Sequence, residues 1–290
     1  MSPDPDSIPP EPWQVEALLA FDAALAAGHE PAEAAGAGPP LHAAHECQRL
    51  LEWVWPRAAP VPGDLPRRFG RFLLVRELGR GGFGVVFLAR DTSLGREVAL
   101  KLPRPGALVS PEDRRRFLRE GEAAGRLDHP HIVPVYELGE YDGICYIASA
   151  YCEGGTLGGW LRGRTSPIPV REAAALVAAL AGAVGHAHAR GIVHRDLKPG
   201  NVLLQRPAAG AAGGGGDPDF IPRLGDFGLA KVLGDDANDT RSGALLGSPA
   251  YMAPEQAAGR AREIGPATDV FALGVILYEL LAGRPPFQGE

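Results

Sequence analysis

Cysteine is scarce: Cys47, Cys145 and Cys152 are the only three in 290 residues, odd in number, far apart and without a CxxC pair. That excludes a disulfide scaffold and gives no structural zinc pattern, so a reducing, cytoplasmic setting is expected. Charge of one sign is also missing. A net charge of −6 and a pI near 5.8 leave no whole-chain basic field for nucleic acid or anionic lipid, and no nucleic-acid partner is expected. The opening MSPDPDSIPPEP is acidic and proline-rich, lacking the basic start and apolar core of an export signal. Long apolar runs are absent too. Ala173 to Gly185 and Val270 to Tyr278 fall short of the ~20 residues that cross a bilayer, so both read as buried helices and no membrane segment is expected in the chain.

What is present is a hydrophobic content of 45%, enough to bury one large or two ordinary cores. Residues 1 to 66 form a separate Ala- and Pro-rich region. Val15, Leu18, Leu19 and Leu25 keep helical spacing, as do Cys47, Leu50, Leu51 and Val54, which predicts an accessory helical pair carrying Trp13, Trp53 and Trp55. From Phe72 the texture changes to strands. FLLVREL, VVFLAR and REVALKL, separated by GRGGFG and DTSLG, predict an antiparallel meander.

Ser110 and Pro111 then start a helix over PEDRRRFLREGEAAGRL, in which Gly121 and Gly125 each cost roughly 1 kcal/mol relative to alanine. Two further strands, HIVPVYELGE and GICYIASAY, precede helices at Thr156 to Arg162 and Val170 to Arg190. A β-rich half therefore precedes an α-rich half. PAAGAAGGGGDPD, 207 to 219, reads as a surface linker between the short strands VLL and PRL.

Gly79, Gly81 and Gly84 have GxGxxG spacing, shared by several nucleotide-binding folds. In a dinucleotide fold a helix follows the glycines; here Val85, Val86, Phe87 and Leu88 continue as a strand. Glycines in such a hairpin let backbone amides approach phosphates closely. Lys101, flanked by apolar residues in VALK, needs an anionic partner if buried, and Glu120 on the following helix is the first candidate, with Glu122 as competitor. His186, His188 and His194 in HAHARGIVH lack the acidic or thiol partners of a zinc site and read as a helix end and a loop.

IVHRDLKPGNVLL, Ile192 to Leu204, resembles the catalytic loop of protein kinases, and DFG at Asp226 to Gly228 and APE at Ala253 to Glu255 follow in that family's order. The resemblance runs from about residue 70 to residue 290 and is nearest to the bacterial serine/threonine kinases of eukaryotic (Hanks) type. It implies an α+β, two-lobed fold, with a β-rich N-lobe and hinge over 67–152 and a mainly helical C-lobe over 153–290, incomplete after the central helix, following the helical extension read over 1–66. ATP would be the phosphoryl donor and magnesium the cation, with manganese as a substitute.

On that resemblance Asp196 accepts the substrate hydroxyl proton, Lys198 neutralises the transferring phosphoryl group, and Asn201 and Asp226 hold the metal. Lys101, held by Glu120, grips the α- and β-phosphates. The loop Leu78, Gly79, Arg80, Gly81, Gly82, Phe83 and Gly84 covers the phosphates. Val86, Ala99 and Leu203 sandwich adenine, and the hinge backbone at Ala150 and Cys152 reads its edge. Ser149 stands at the gatekeeper position, predicting an enlarged back pocket. Lys198 and GSPAYMAPEQ resemble the serine/threonine form rather than the tyrosine form.

Arg195 before Asp196 implies activation by loop phosphorylation, with Thr240 and Ser242 beside Arg241 as expected autophosphorylation sites. Protein substrates, the kinase itself among them, are the expected partners. The family continues for several helices past the equivalent of Glu290, including an arginine that pairs with the counterpart of Glu255. The chain is therefore expected to be a piece of a longer protein, with the helix Asp269 to Leu281 partly uncovered. Two rival readings are an inactive nucleotide-binding scaffold and a small-molecule phosphotransferase. Lys101, Glu120, Asp196, Asn201 and Asp226 argue against the first, and APE with its docking stretch against the second.

Overall fold

In the computed structural model, residues 67–81, 84–103, 111–164, 166–207, 220–227 and 249–287 are described. The expected helical pair, the 207–219 linker apart from Pro207, Gly82, Phe83, Thr240 and Ser242 lie outside them.

Six antiparallel strands form one sheet in the order β1-β2-β3-β4-β6-β5: β1 (Arg67–Phe69), β2 (Phe72–Gly81), β3 (Gly84–Asp91), β4 (Arg96–Pro103), β5 (Val135–Tyr141) and β6 (Ile144–Ala150). The expected meander is β2-β3-β4. One face of β3 and β4 is core: Val85 pairs with Leu102, Phe87 with Leu100 and Ala89 with Val98, and all of them are at or below 1% exposure. Strand β5 starts at Val135 rather than His131. Pro134 has no N–H to give a ladder, and the residues before it pair elsewhere.

Helix α1 (Pro111–Gly125) packs Phe117 and Leu118 against Cys145, Ile147, Val135 and Leu138 of β5 and β6. Gly121 explains its own helix-weakening cost. A Cβ there would stand 1.8 Å from Leu138 Cδ2, so the glycine lets α1 lie close on the sheet.

The second lobe contains α2 (Leu157–Arg162), α3 (Val170–His188), the hairpin β7 (Val202–Gln205) and β8 (Ile221–Leu224), the one-turn α4 (Pro254–Ala257) and α5 (Pro266–Ala282). Thr156 caps α2 by accepting from Gly159 N–H at 3.0 Å. Gly283, left-handed at φ 72°, ends α5 and donates to Glu279 O at 2.8 Å. By length and composition α3 is apolar enough to cross a membrane. Its buried residues Ala173, Leu176, Leu180, Ala183, Val184 and Ala187 instead join Ala272, Leu273, Ile276 and Leu280 of α5 in the lobe's core. Along the outer side of α5, Val270, Tyr278 and Leu281 are exposed.

Backbone bonds also join the lobes away from the hinge. Leu224 N–H donates to His131 O, and Val133 N–H to Leu224 O, both at 2.8 Å. The turn DHPHIV is thereby fastened to the strand that leads into Asp226.

Candidate active site

Residues 193 to 198 lie outside any helix or strand, so side chains from other elements hold them. His194 is fully buried and donates from Nε2 to Gly225 O at 2.9 Å, while its ring packs on Phe227 with centroids 4.6 Å apart. Asp269, 1% exposed on α5, accepts from the backbone N–H groups of His194 and Arg195, each at 2.8 Å, and from His188 Nε2 at 2.7 Å. Three donors on two oxygens compensate the burial of its carboxylate. Asp269 was missed in the sequence because it lies 75 residues from His194, inside what reads as an apolar helix.

That scaffold presents a tight polar cluster. Lys198 Nζ donates to Asp196 Oδ2 at 2.7 Å. Asn201 Nδ2 donates to the same Oδ2 at 3.0 Å and to Asp196 O at 2.7 Å. With both Nδ2 hydrogens committed to Asp196, Asn201 Oδ1 is the amide oxygen left to coordinate a cation. Gly225 N–H donates to Asn201 O at 2.9 Å, which sets Asp226 next to it across the β7–β8 hairpin. Hard divalent cations take such oxygen donors. Among the described residues no three His, Cys, Asp or Glu side chains converge on one point. The donor set thus suits a cation that completes its shell with phosphate and water.

Lys101 reaches across from β4 to Asp226 Oδ1 at 2.8 Å. Its anionic partner in the structure is therefore the DFG aspartate, and the Glu120 side chain lies outside the described residues. Desolvation pushes the Asp226 carboxyl up although its side chain is 44% open to the cleft; Lys101, with His194 and Lys198 behind it, outweighs that and holds it below the ordinary carboxylate value. Arg195 (φ 69°) and Asp226 (φ 61°) are both left-handed without being glycine. Such conformations cost about 1–3 kcal/mol each and persist where the surroundings over-determine them.

Next to this cluster lies a cavity of about 370 Å³ lined by Leu78, Gly79, Val86, Ala99, Lys101, Cys152 and Leu203, all predicted, and by Asn201 and Asp226. Ala150 is not among its lining residues. Its N–H is given to Pro134 O at 2.9 Å, and the hinge residues facing the cavity are Tyr151 and Cys152. Arg76 also lines it, donating to Tyr151 OH at 2.8 Å. Ser149 leaves the cavity continuous toward Gly121, Ala124, Val135 and Ile147, and its own hydroxyl donates to Ala99 O at 3.4 Å.

The glycine hairpin divides in role. A Cβ on Gly79 or Gly81 would meet nothing within 4 Å, leaving the space that phosphates need. Gly84 (φ 148°) is structural instead: a Cβ would stand 2.2 Å from Leu102 O on β4. Arg80 pairs with Glu77 at 2.6 Å and, like Gly81 and Gly84, lies outside the enclosed cavity.

On the far side of the catalytic loop, Glu255 accepts from Thr268 Oγ1 at 2.6 Å. That bond holds its carboxyl below the ordinary value. Tyr251 OH donates to Glu279 at 2.7 Å.

Comparison with known proteins agrees with this geometry. The protein kinase domain model matches residues 72–290. The chain is 41% identical over 224 residues to serine/threonine-protein kinase PrkC of Bacillus subtilis, covering 76% of this chain and 32% of that protein. It is 37% identical over 239 residues to serine/threonine-protein kinase Pkn1 of Myxococcus xanthus, covering 81% of this chain and 33% of that protein. It thus spans about a third of the length of these relatives. Among solved structures, the Mycobacterium tuberculosis PknI kinase domain superposes with a TM-score of 0.60 at 35% identity, over 78% of this chain and 80% of that one. With HRD, DFG and APE in that order along the matched residues, the chain belongs to the protein kinase domain family, in its bacterial Hanks-type serine/threonine branch.

Proposed function

We propose that this chain transfers the γ-phosphoryl group of ATP to serine and threonine hydroxyls of proteins, itself included. The observation that carries this is the Asp196 carboxylate, with one oxygen gripped by Lys198 and Asn201 and the other left to meet an incoming hydroxyl. Asp196 orients that hydroxyl and takes its proton as the bond to phosphorus forms. Lys198, 2.7 Å from Asp196, balances charge on the transferring group in this reading. A divalent cation, magnesium in this reading, would be held by Asn201 Oδ1 and Asp226 and would neutralise the phosphate oxygens. Lys101 moves between Asp226 and the α- and β-phosphates, with Glu120 as its partner when nucleotide is bound.

Leu78, Val86, Ala99 and Leu203 enclose the purine, and backbone groups at Cys152 read its edge. Thr240 and Ser242 serve as autophosphorylation sites whose phosphates pair with Arg195. The reading places the enzyme in the cytoplasm. Incubation with γ-labelled ATP and a generic protein acceptor tests the function: label is expected on serine and threonine with the parent chain and not with Asp196→Asn. Equal labelling by both, or label confined to tyrosine, refutes it.

A further inference from the structure

Asp196 is aimed by the peptide group that precedes it, because a planar Arg195–Asp196 peptide sets the direction in which the Asp196 Cα and side chain leave the loop. On one side, Asp196 N–H makes only a long 3.4 Å contact with His194 Nδ1. On the other, Arg195 O accepts from Gln256 Nε2 at 2.7 Å. The shorter bond comes from α4, 61 residues away in sequence.

The Gln256 amide is itself oriented. Its Oε1 accepts Ala253 N–H at 3.1 Å, so Nε2 must face Arg195; a flipped amide would set N–H against N–H and oxygen against oxygen. Arg195 is thus clamped at both ends, its N–H by Asp269 and its carbonyl by Gln256, around a left-handed φ of 69°. A left-handed non-glycine residue is strained, so losing one clamp lets the chain relax and swing Asp196. Helix α4 is fixed in turn: Glu255, next to Gln256, is bound by Thr268, which is 1% exposed and adjacent to Asp269 on α5. The bonds close a ring from Arg195 through α4 and α5 back to Arg195.

We propose that Gln256 is a positioning residue for Asp196, acting through the Arg195 carbonyl. This rests on the phosphotransfer reading for its kinetic consequence but not for its structural one, so two readouts separate them. Gln256→Met keeps the length and removes both bonds; Gln256→Glu keeps the acceptor for Ala253 N–H and sets an oxygen against Arg195 O. Both variants are expected to lower kcat by about ten- to a hundredfold, with KM for ATP within about twofold, as a misaimed catalytic group does. In the same proteins, amide hydrogen exchange over 192–201 is expected to quicken at least about tenfold while α3 and α5 stay protected. Unchanged exchange over 192–201, or loss of protection throughout α3 and α5, overturns the proposal. So does a rise confined to KM for the protein acceptor. A parent chain that transfers no phosphate counts against the phosphotransfer reading, and the exchange result then decides Gln256 by itself.

Discussion

Ser149 is small enough to leave the cavity running from the purine site to Gly121 and Ala124. Filling that passage with Ser149→Met is expected to weaken binding of a purine carrying a benzyl group on its exocyclic amine by at least about tenfold, while ATP affinity changes little. Competition binding measures it; equal loss for both ligands would show that Ser149 does not gate the passage. At this scale the sequence is legible wherever residues carrying one function are neighbours in the chain. Asp196, Lys198 and Asn201 sit within six positions, and the structure brings all three together. Asp269 and Gln256 were not legible, because a helix aspartate and a glutamine beside APE have no local signature. Their partners become neighbours only through the fold. The Lys101–Asp226 contact was likewise obscured, since each residue had another expected role.

The glycine hairpin carries the clearest prediction among the elements. Gly84→Ala puts a Cβ against Leu102 O at a backbone angle that side chains rarely adopt, and should destabilise the N-lobe by about 1–3 kcal/mol in denaturant unfolding. Gly79→Ala meets open space and should leave stability nearly unchanged while weakening nucleotide binding. If the two cost the same stability, the division of roles is wrong. The turn between α1 and β5 adds a dependence on pH. His129 is held below its ordinary 6.5 by desolvation first and then by the nearby His186 and His131. Between its folded value and 6.5 the unfolded chain binds more protons, so stability should fall as pH drops below 6.5, and a His129→Gln variant should show a shallower slope. Thermal unfolding from pH 7.5 to 5 checks the slope; the same slope in both proteins would refute the assignment to His129. The strands β2, β3 and β4 were readable from alternation and glycine turns, whereas β1, three residues with two arginines, has too little pattern to be seen. The start of β5 was misplaced because residues before Pro134 pair with β8 instead.

Across the whole molecule, the sheet and the helical lobe are joined at the cleft by Lys101 on Asp226 and beside it by backbone bonds. The order of β-rich and α-rich halves was apparent in the sequence; the backbone link from His131 and Val133 to Leu224 was not, since it joins segments some 90 residues apart with no shared motif. In the proposed reaction Asp196 acts in the transfer step rather than in holding nucleotide. Single-turnover transfer and nucleotide affinity, both measured on the parent chain and on Asp196→Asn, test it most directly. Transfer is expected to slow by about 10²–10⁴-fold while the Kd for magnesium-ATP stays within about threefold. Transfer at the parent rate in Asp196→Asn would contradict it.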